Sequence, residues 1–158
     1  MATVFQSLFK QKAGFGALKA LVFLACLPSL AFGDDERIGT VKTYNPEAAV
    51  LRKGAEIKVD LGMGIQRGDV ISTQGDGTVG VIFIDGAVLS LGPETKFVID
   101  DFVFKPAERE VSFLSSLAHG TASFISGAIG RIAPESVKFK TPTATLGLRG
   151  TKILVEVR

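Results

Sequence analysis

Cysteine, histidine and the polar aromatic residues are almost missing from this chain. Of its 158 residues one is cysteine, one is histidine, one is tyrosine and none is tryptophan. The cysteine, Cys26, lies in an apolar N-terminal segment, so the rest of the chain has neither a disulfide framework nor a reactive thiol. One histidine without further cysteine also excludes the usual zinc sites. We therefore expect no metal and no cofactor.

A marked excess of charge of either sign is missing as well. The formal net charge is +2, and Lys10, Lys12 and Lys19 supply three positive charges within the first twenty residues. The remainder is close to neutral. It therefore gives no electrostatic argument for nucleic acid or an anionic lipid surface as a partner.

Long hydrophobic runs are also lacking, and none reaches the length of a membrane span. The apolar segment Ala20–Phe32 is shorter than the roughly 18–20 residues that a spanning helix needs. It follows a basic start and ends in small residues, which is the plan of a cleavable secretory signal peptide. We predict a signal peptide over residues 1–33, cut after Gly33 or Ala31, and hence a periplasmic or secreted protein. Lipoprotein processing at Cys26 is the alternative.

What the chain does contain is a series of short strand-like runs separated by turn residues. Ala55–Val59 and Lys152–Val157 alternate between apolar and polar residues, the period of a half-buried strand. Turn signals recur about every ten residues, which is typical of all-β proteins. The pattern predicts one all-β domain over residues 38–157.

Three segments have a less definite pattern. Glu108–His119 fits both a helical and a strand periodicity, and such short apolar runs often cannot be separated by period alone. We interpret Val111–Leu117 within it as a strand because its neighbours are strand-like. Asp100-Asp101 is predicted to be a solvated bend between two strands, and 127–130 a flexible glycine-rich connection.

The most apolar stretch of this part, Val79–Leu91, consists of two runs that meet at Asp85-Gly86. An Asp-Gly pair between apolar runs predicts a β-hairpin with a two-residue type I′ loop. In that register Phe83 lies opposite Val88, and both faces of the hairpin are largely apolar. A hairpin apolar on both faces must be covered on both. We therefore predict that it is the central pair of a sandwich or roll.

The chain offers no recognisable catalytic constellation. His119 could in principle activate Ser115 or Ser116, but neighbours on one strand do not generally aim at one another, and no G-x-S-x-G turn is present. Asp100-Asp101 lacks the spacing and the second acidic cluster of a calcium loop. We expect no enzyme.

Arg149 stands near glycines in an apolar corner. Its guanidinium could grip a ligand carboxylate with two hydrogen bonds, or it could pair with Asp69 or Asp85 and tie the corner to the sheet. We expect a structural role for Arg149 and Gly150, as for Asp69 and for Asp85-Gly86. On this expectation Arg149→Ala lowers the melting temperature.

Four segments of the chain, taken together, resemble the periplasmic domain of the FecR family. They are Arg67–Thr73, Phe83–Gly86, Leu89–Pro93 and Lys140–Thr151, and their order and spacing match along most of Ile38–Val157. The resemblance implies a non-enzymatic all-β module, a compact β-roll or solenoid-like sandwich. Named members relay the state of an outer-membrane iron–siderophore transporter to a sigma factor. No anti-sigma segment precedes the apolar run here, so we expect a stand-alone periplasmic form.

The function expected from these features is binding to another protein of the cell envelope, in signalling or scaffolding. An edge strand such as Lys152–Val157 could accept a strand of that partner. A glycan- or peptidoglycan-binding module is the alternative. It is weakened because such sites favour exposed aromatic rings, and Tyr44 is the sole tyrosine of a chain without tryptophan.

Overall fold

The computed structural model describes residues 36–158, so the predicted signal peptide and Cys26 lie outside the described residues. The described part is mostly β, with one short helix, which confirms the predicted class. Its strands are β1 Arg37–Tyr44, β2 Ala48–Arg52, β3 Ala55–Lys58, β4 Gly64–Gln66, β5 Val70–Thr73, β6 Val79–Phe83, β7 Val88–Leu91, β8 Lys96–Lys105, β9 Glu110–Ile125, β10 Val137–Lys140, β11 Thr145–Gly147 and β12 Lys152–Val157. One short helix, α1, spans Ala128–Ile132, and 3-10 turns span Pro106–Glu108 and Pro134–Ser136.

All of these strands belong to one curled sheet. Its order is β3-β2-β5-β8-β9-β7-β6-β1-β4, while β12 and the β10–β11 hairpin pair with further stretches of β9. Every pairing among the described strands is antiparallel except that of β9 with β10. The sheet curls into a half-barrel with the apolar core inside, as the predicted roll requires. Within residues 36–158 no helix has the length and hydrophobicity that a membrane crossing requires.

The long strand β9 joins the two halves of the roll. Its first part pairs with β8 and β10, and its last part with β7 and β12. Gly120 separates the two parts and has φ +94°. A Cβ atom at this position would meet Thr95 and lie 2.5 Å from the Glu94 carbonyl oxygen, so only glycine fits. The segment Val111–Leu117 is therefore a strand, as predicted, within one bent strand of 16 residues.

The bend in β9 brings aromatic side chains together in the core. Phe113 and Phe124, on either side of the bend, stack with ring centroids 4.9 Å apart. Phe83 of β6 meets Phe113 edge to face at 5.1 Å and stacks on Phe102 of β8 at 5.6 Å. Such pairs contribute about 0.5–1.5 kcal/mol each beyond the area they bury. This cluster holds the two halves of the roll against each other.

The predicted hairpin β6–β7 exists, but its loop has three residues instead of two. The Phe83 N–H donates to the Ala87 carbonyl at 2.9 Å, and the Gly86 N–H donates to the Phe83 carbonyl at 3.0 Å. Gly86 has φ +82°, whereas a type I′ loop would require a positive φ at Asp85 as well. The three-residue loop shifts the register by one residue, so Ile82 and not Phe83 lies opposite Val88.

The shifted register changes which side chains are covered. Val81 and Leu89 face each other in the core, both fully buried. Ile82 and Ile84 point away from the core and are 40% and 47% exposed. The prediction that both faces of this hairpin are covered is therefore wrong, although the hairpin does lie within the sheet and not at its edge.

A polar clamp connects β4, at one end of the strand order, with β2 near the other end. Arg52 of β2 donates through Nε and Nη2 to the two carboxylate oxygens of Asp69, at 2.8 and 2.7 Å. The same Nη2 donates to the Gly64 carbonyl of β4 at 2.7 Å. Asp69 also accepts the Gln66 N–H at 2.8 Å. We call these four residues the clamp; it ties the free ends of the curl together.

Three local predictions differ from the structure. Asp100-Asp101 does not divide two strands, because β8 is continuous and changes register between Ile99 and Asp101. Residues 127–130 contribute to α1 instead of a flexible connection. Strand β3 is exposed along its whole length, because within the described residues it pairs only with β2 at the edge of the sheet.

Candidate protein-binding surface

The structure places the two aspartates singled out from the sequence in separate structural roles. Asp69 belongs to the clamp. Asp85 lies in the β6–β7 loop, where its carboxylate accepts the N–H groups of Ala87 at 3.0 Å and Ile129 at 3.3 Å. Its carbonyl accepts the Ala128 N–H at 2.8 Å. Asp85 thus anchors the start of α1 to the hairpin, while neighbouring Gly86 supplies the left-handed turn.

Arg149 does not form the ion pair expected for it. Both candidate partners are engaged elsewhere, Asp69 by Arg52 and Asp85 by backbone amides. Arg149 is exposed, and within residues 36–158 it makes neither a hydrogen bond nor an ion pair. Gly150 beside it has φ +54° and shapes the turn into β12. The structure therefore removes the physical basis for a melting-temperature loss in Arg149→Ala.

The serine and histidine side chains considered above as nucleophile and base have different surroundings. His119 places Nδ1 at 2.5 Å from the Glu94 carbonyl oxygen. Ser116 donates to Asp100, and Ser115 points into the core, where it is fully buried. The alternation of side chains along β9 separates Ser115 from Ser116. These residues therefore do not assemble into a catalytic pair.

A cleft of about 490 Å³ lies where β8 ends, with Phe102 in its lining. Charges of both signs line it, and two pairs of opposite charges lie close together there. Arg67 lies 3.5 Å from Asp101, and Lys105 lies 4.0 Å from Glu110. The charged lining of this cleft thus mixes both signs: Lys53, Arg67 and Lys105 with Glu36 and Glu110.

The outer face of the β6–β7–β9–β12 half carries several exposed apolar side chains. Its registers place Ile82 beside Val88, Val88 beside Ile125, and Ile125 beside Lys152. These side chains form a row across four strands, and Ile82 and Ile125 are both exposed.

A second row on this face is made of small residues. Gly80, Ser90 and Ser123 follow one another across β6, β7 and β9, and Leu154 of β12 ends the row. They line a shallow groove of about 350 Å³, which we call the outer groove. Leu154 forms its wall and is 74% exposed, the highest value among the large apolar side chains of the described residues.

The strand β12 borders the outer groove and is an edge of the sheet. It pairs with β9, and within residues 36–158 no strand covers its other side. The Ser126 N–H donates to the Thr151 carbonyl at 3.1 Å. Because antiparallel ladders alternate, Ile153 and Val155 face β9, and the backbone groups of Leu154 and Glu156 face the free edge. Neither a proline nor a bulge interrupts this edge, and its charged side chains are Lys152 and Glu156.

The chain matches the model of the FecR protein family over residues 69–158. The match covers more than half of the chain and runs from Asp69 through β5 to the end of β12. The chain belongs to the FecR family. No curated protein and no solved structure matches it. The FecR family is an envelope-associated family of regulatory and signalling modules.

The FecR segment contains both rows of the outer face and β12, but only Asp69 of the clamp. Arg52, Gly64 and Gln66 precede the matched residues. Sequence reasoning found the β12 edge through its alternation but missed Arg52, because nothing in the sequence distinguishes Arg52 from Arg149 as the partner of a buried aspartate. It also missed the Ile82–Val88–Ile125 row, because that row depends on the shifted hairpin register.

Proposed function

We propose that this FecR-family chain is an exported, non-enzymatic protein-binding module of the periplasm, which acts in signalling or scaffolding. We propose further that it binds by adding a strand of its partner to β12. The observation that carries the proposal is the unpaired edge of β12, six residues long, beside the exposed side chain of Leu154.

Strand addition suits this edge for two physical reasons. The backbone N–H and C=O groups of Leu154 and Glu156 offer a partner strand the hydrogen bonds from which such complexes gain affinity. Specificity in this mode comes from alternate side chains of the added strand. On the outer face one of these side chains would lie next to Leu154, at the end of the row of small residues. The family's regulatory character is consistent with a module that binds proteins.

The test uses crosslinking in the periplasm, with the wild-type chain and Leu154→Pro as bait. Proline removes the Leu154 N–H, which β9 does not use, and proline is tolerated in edge strands when that N–H faces outward. We expect the crosslinked partner to disappear with Leu154→Pro and to persist with Leu154→Ala, which keeps the backbone amide.

The matched control is Glu56→Pro on β3. In the register Arg52↔Ala55 the Glu56 N–H points to the free edge of β3. Glu56→Pro therefore removes an equivalent outward-facing amide from the other edge strand. Circular dichroism melting curves check that both proline variants fold. Recovery of uncrosslinked protein alone under several conditions would refute the proposal, as would a partner that Leu154→Pro retains.

A further inference from the structure

We infer that the strand that fits β12 is the β12 strand of a second copy of this chain. Two copies would pair edge to edge and antiparallel, around a two-fold axis through Leu154. The inference rests on the proposed function, because it takes β12 as the strand-accepting edge. It goes further by naming the partner at that edge.

The sequence of β12 is complementary to itself in this arrangement. Its first five residues are Lys152-Ile153-Leu154-Val155-Glu156, and Val157 follows them. When two such strands run antiparallel with Leu154 opposite Leu154, each Lys152 lies opposite Glu156 of the second copy. Each Ile153 likewise lies opposite Val155. Pairs of opposite charges and pairs of β-branched apolar residues stabilise sheets. Each position from 152 to 156 is therefore opposite either an opposite charge or an apolar side chain.

The backbone pattern permits the two-fold axis at Leu154. Because Ile153 and Val155 use their N–H and C=O groups toward β9, those of Leu154 point outward. Two Leu154 residues can then exchange both hydrogen bonds and form a hydrogen-bonded pair, as an antiparallel ladder requires. A symmetric dimer uses the same patch on both subunits, and this pairing meets that condition.

The charged side chains that the pairing would use are exposed on the outer face. Lys152 is exposed, and within residues 36–158 its ammonium group makes no ion pair. Glu156 accepts a hydrogen bond from Arg158 Nε at 2.8 Å, and both groups are largely exposed. The hydrogen bond and the charge of Glu156 raise the pKa of Arg158 above its ordinary value. The Glu156 carboxylate thus already binds the Arg158 guanidinium, and in the dimer Lys152 of the second copy would approach the same carboxylate.

The other exposed edge strand fits a second copy less well and provides the control. In β3, Glu56 and Lys58 flank Ile57, so the charges are also self-complementary. However, β3 has four residues, and pairing around Ile57 would bring together only one apolar pair. In β12 the pairs of Leu154 with itself and of Ile153 with Val155 give three. Leu154 is also far more exposed than Ile57, at 74% against 36%.

The test is sedimentation equilibrium of the protein purified from the periplasm. A six-residue strand pair is small against the standard interface of about 1,600 Å², so concentrations from about 5 to about 500 µM are needed. We expect a reversible monomer–dimer equilibrium. Lys152→Glu and Glu156→Lys should each weaken the dimer at least about tenfold, because each places like charges opposite one another twice.

Mixing the two charge variants gives the decisive result. In an equimolar mixture of Lys152→Glu with Glu156→Lys, every reversed side chain again faces an opposite charge in the mixed pair. We therefore expect a mixed dimer with an affinity within about threefold of wild type, since the number of opposite-charge pairs is restored. The double variant Lys152→Glu/Glu156→Lys should also dimerise. The control variants Glu56→Lys and Lys58→Glu on β3 should leave the equilibrium unchanged.

Three results would overturn the inference. They are a monomer across the whole concentration range, a dimer indifferent to both charge variants at β12, and a dimer that responds to the β3 variants instead. The first leaves the proposed function standing if Leu154→Pro still abolishes crosslinking to another protein. Conversely, a charge-swapped dimer without any crosslinked second protein supports the inference and removes the role for a different partner.

Discussion

Removal of the Asp69 carboxylate is expected to destabilise the roll more than any change at its surface, because Asp69 is the buried centre of the clamp. Asp69→Ala loses two hydrogen bonds from Arg52 and one from the Gln66 N–H. A hydrogen bond to a charged group contributes about 1.5–3 kcal/mol, and breaking a buried ion pair costs about 3–5 kcal/mol. The Arg52 side chain is 21% exposed and keeps the Gly64 carbonyl, so it regains part of its hydration. We expect a loss of about 3 kcal/mol.

The measurement is urea unfolding followed by far-ultraviolet circular dichroism, with thermal melting beside it. At roughly 4 °C per kcal/mol for a domain of this size, Asp69→Ala should melt about 12 °C below wild type. Asp69→Asn keeps an oxygen that can accept the Gln66 N–H, and should lose only about half as much free energy.

A double-mutant cycle decides whether the loss belongs to the pair. Arg52→Met keeps the apolar stem of the arginine and leaves the Asp69 carboxylate buried without its guanidinium, so it should also cost about 3 kcal/mol. If the two residues act as one clamp, Arg52→Met/Asp69→Ala should be much less destabilised than the sum of the single variants. Additive losses, or a loss below about 1 kcal/mol for Asp69→Ala, would refute the account of how the curl is closed.

Three further substitutions test other parts of the structure by the same unfolding assay. Ser115→Ala should stabilise the protein by about 1 kcal/mol, because the hydroxyl is buried without a hydrogen-bond partner in the described residues; a loss would show that the hydroxyl is paired. Gly127→Ala should cost at least about 2 kcal/mol, because a Cβ there would lie 2.5 Å from the Asp85 carboxylate; an unchanged midpoint would contradict this packing. Arg149→Ala should change stability by less than about 0.5 kcal/mol, and a clear fall in melting temperature would restore the structural role expected from the sequence.

The periodicity of the sequence predicted strands well but could not predict what covers them. Lys152–Val157 and Ala55–Val59 show the same alternation. In β12, Ile153 and Val155 are half-buried as expected, whereas β3 is exposed throughout. An apolar/polar alternation with a period of two shows only which side chains lie on the same face of a strand. Whether another layer lies against that face depends on contacts between residues far apart in the chain.

The hairpin loop and the partner of Asp69 were mispredicted for a related reason. Asp85-Gly86 is compatible with a two-residue and with a three-residue loop. The longer loop forms because it lets the Asp85 carboxylate accept hydrogen bonds from backbone N–H groups of its own hairpin and of α1, 44 residues away. Arg52 lies 17 residues from Asp69. Neither of these long-range contacts can be predicted from the local sequence, whereas the turn at Gly86 can.

The bend of β9 at Gly120 bears on how a partner strand on β12 could act. The last part of β9 carries β12, and its first part is held between β8 and β10. A strand added to β12 would therefore lie one strand away from β9, and β9 is anchored in both halves of the core through Phe113 and Phe124. A ligand shifts a conformational equilibrium only through different affinities for two states, and the outward backbone groups of β12 can pair with a partner strand without any rearrangement of the core. The proposed signalling role is then best served by assembly itself, with the presence of the partner as the signal.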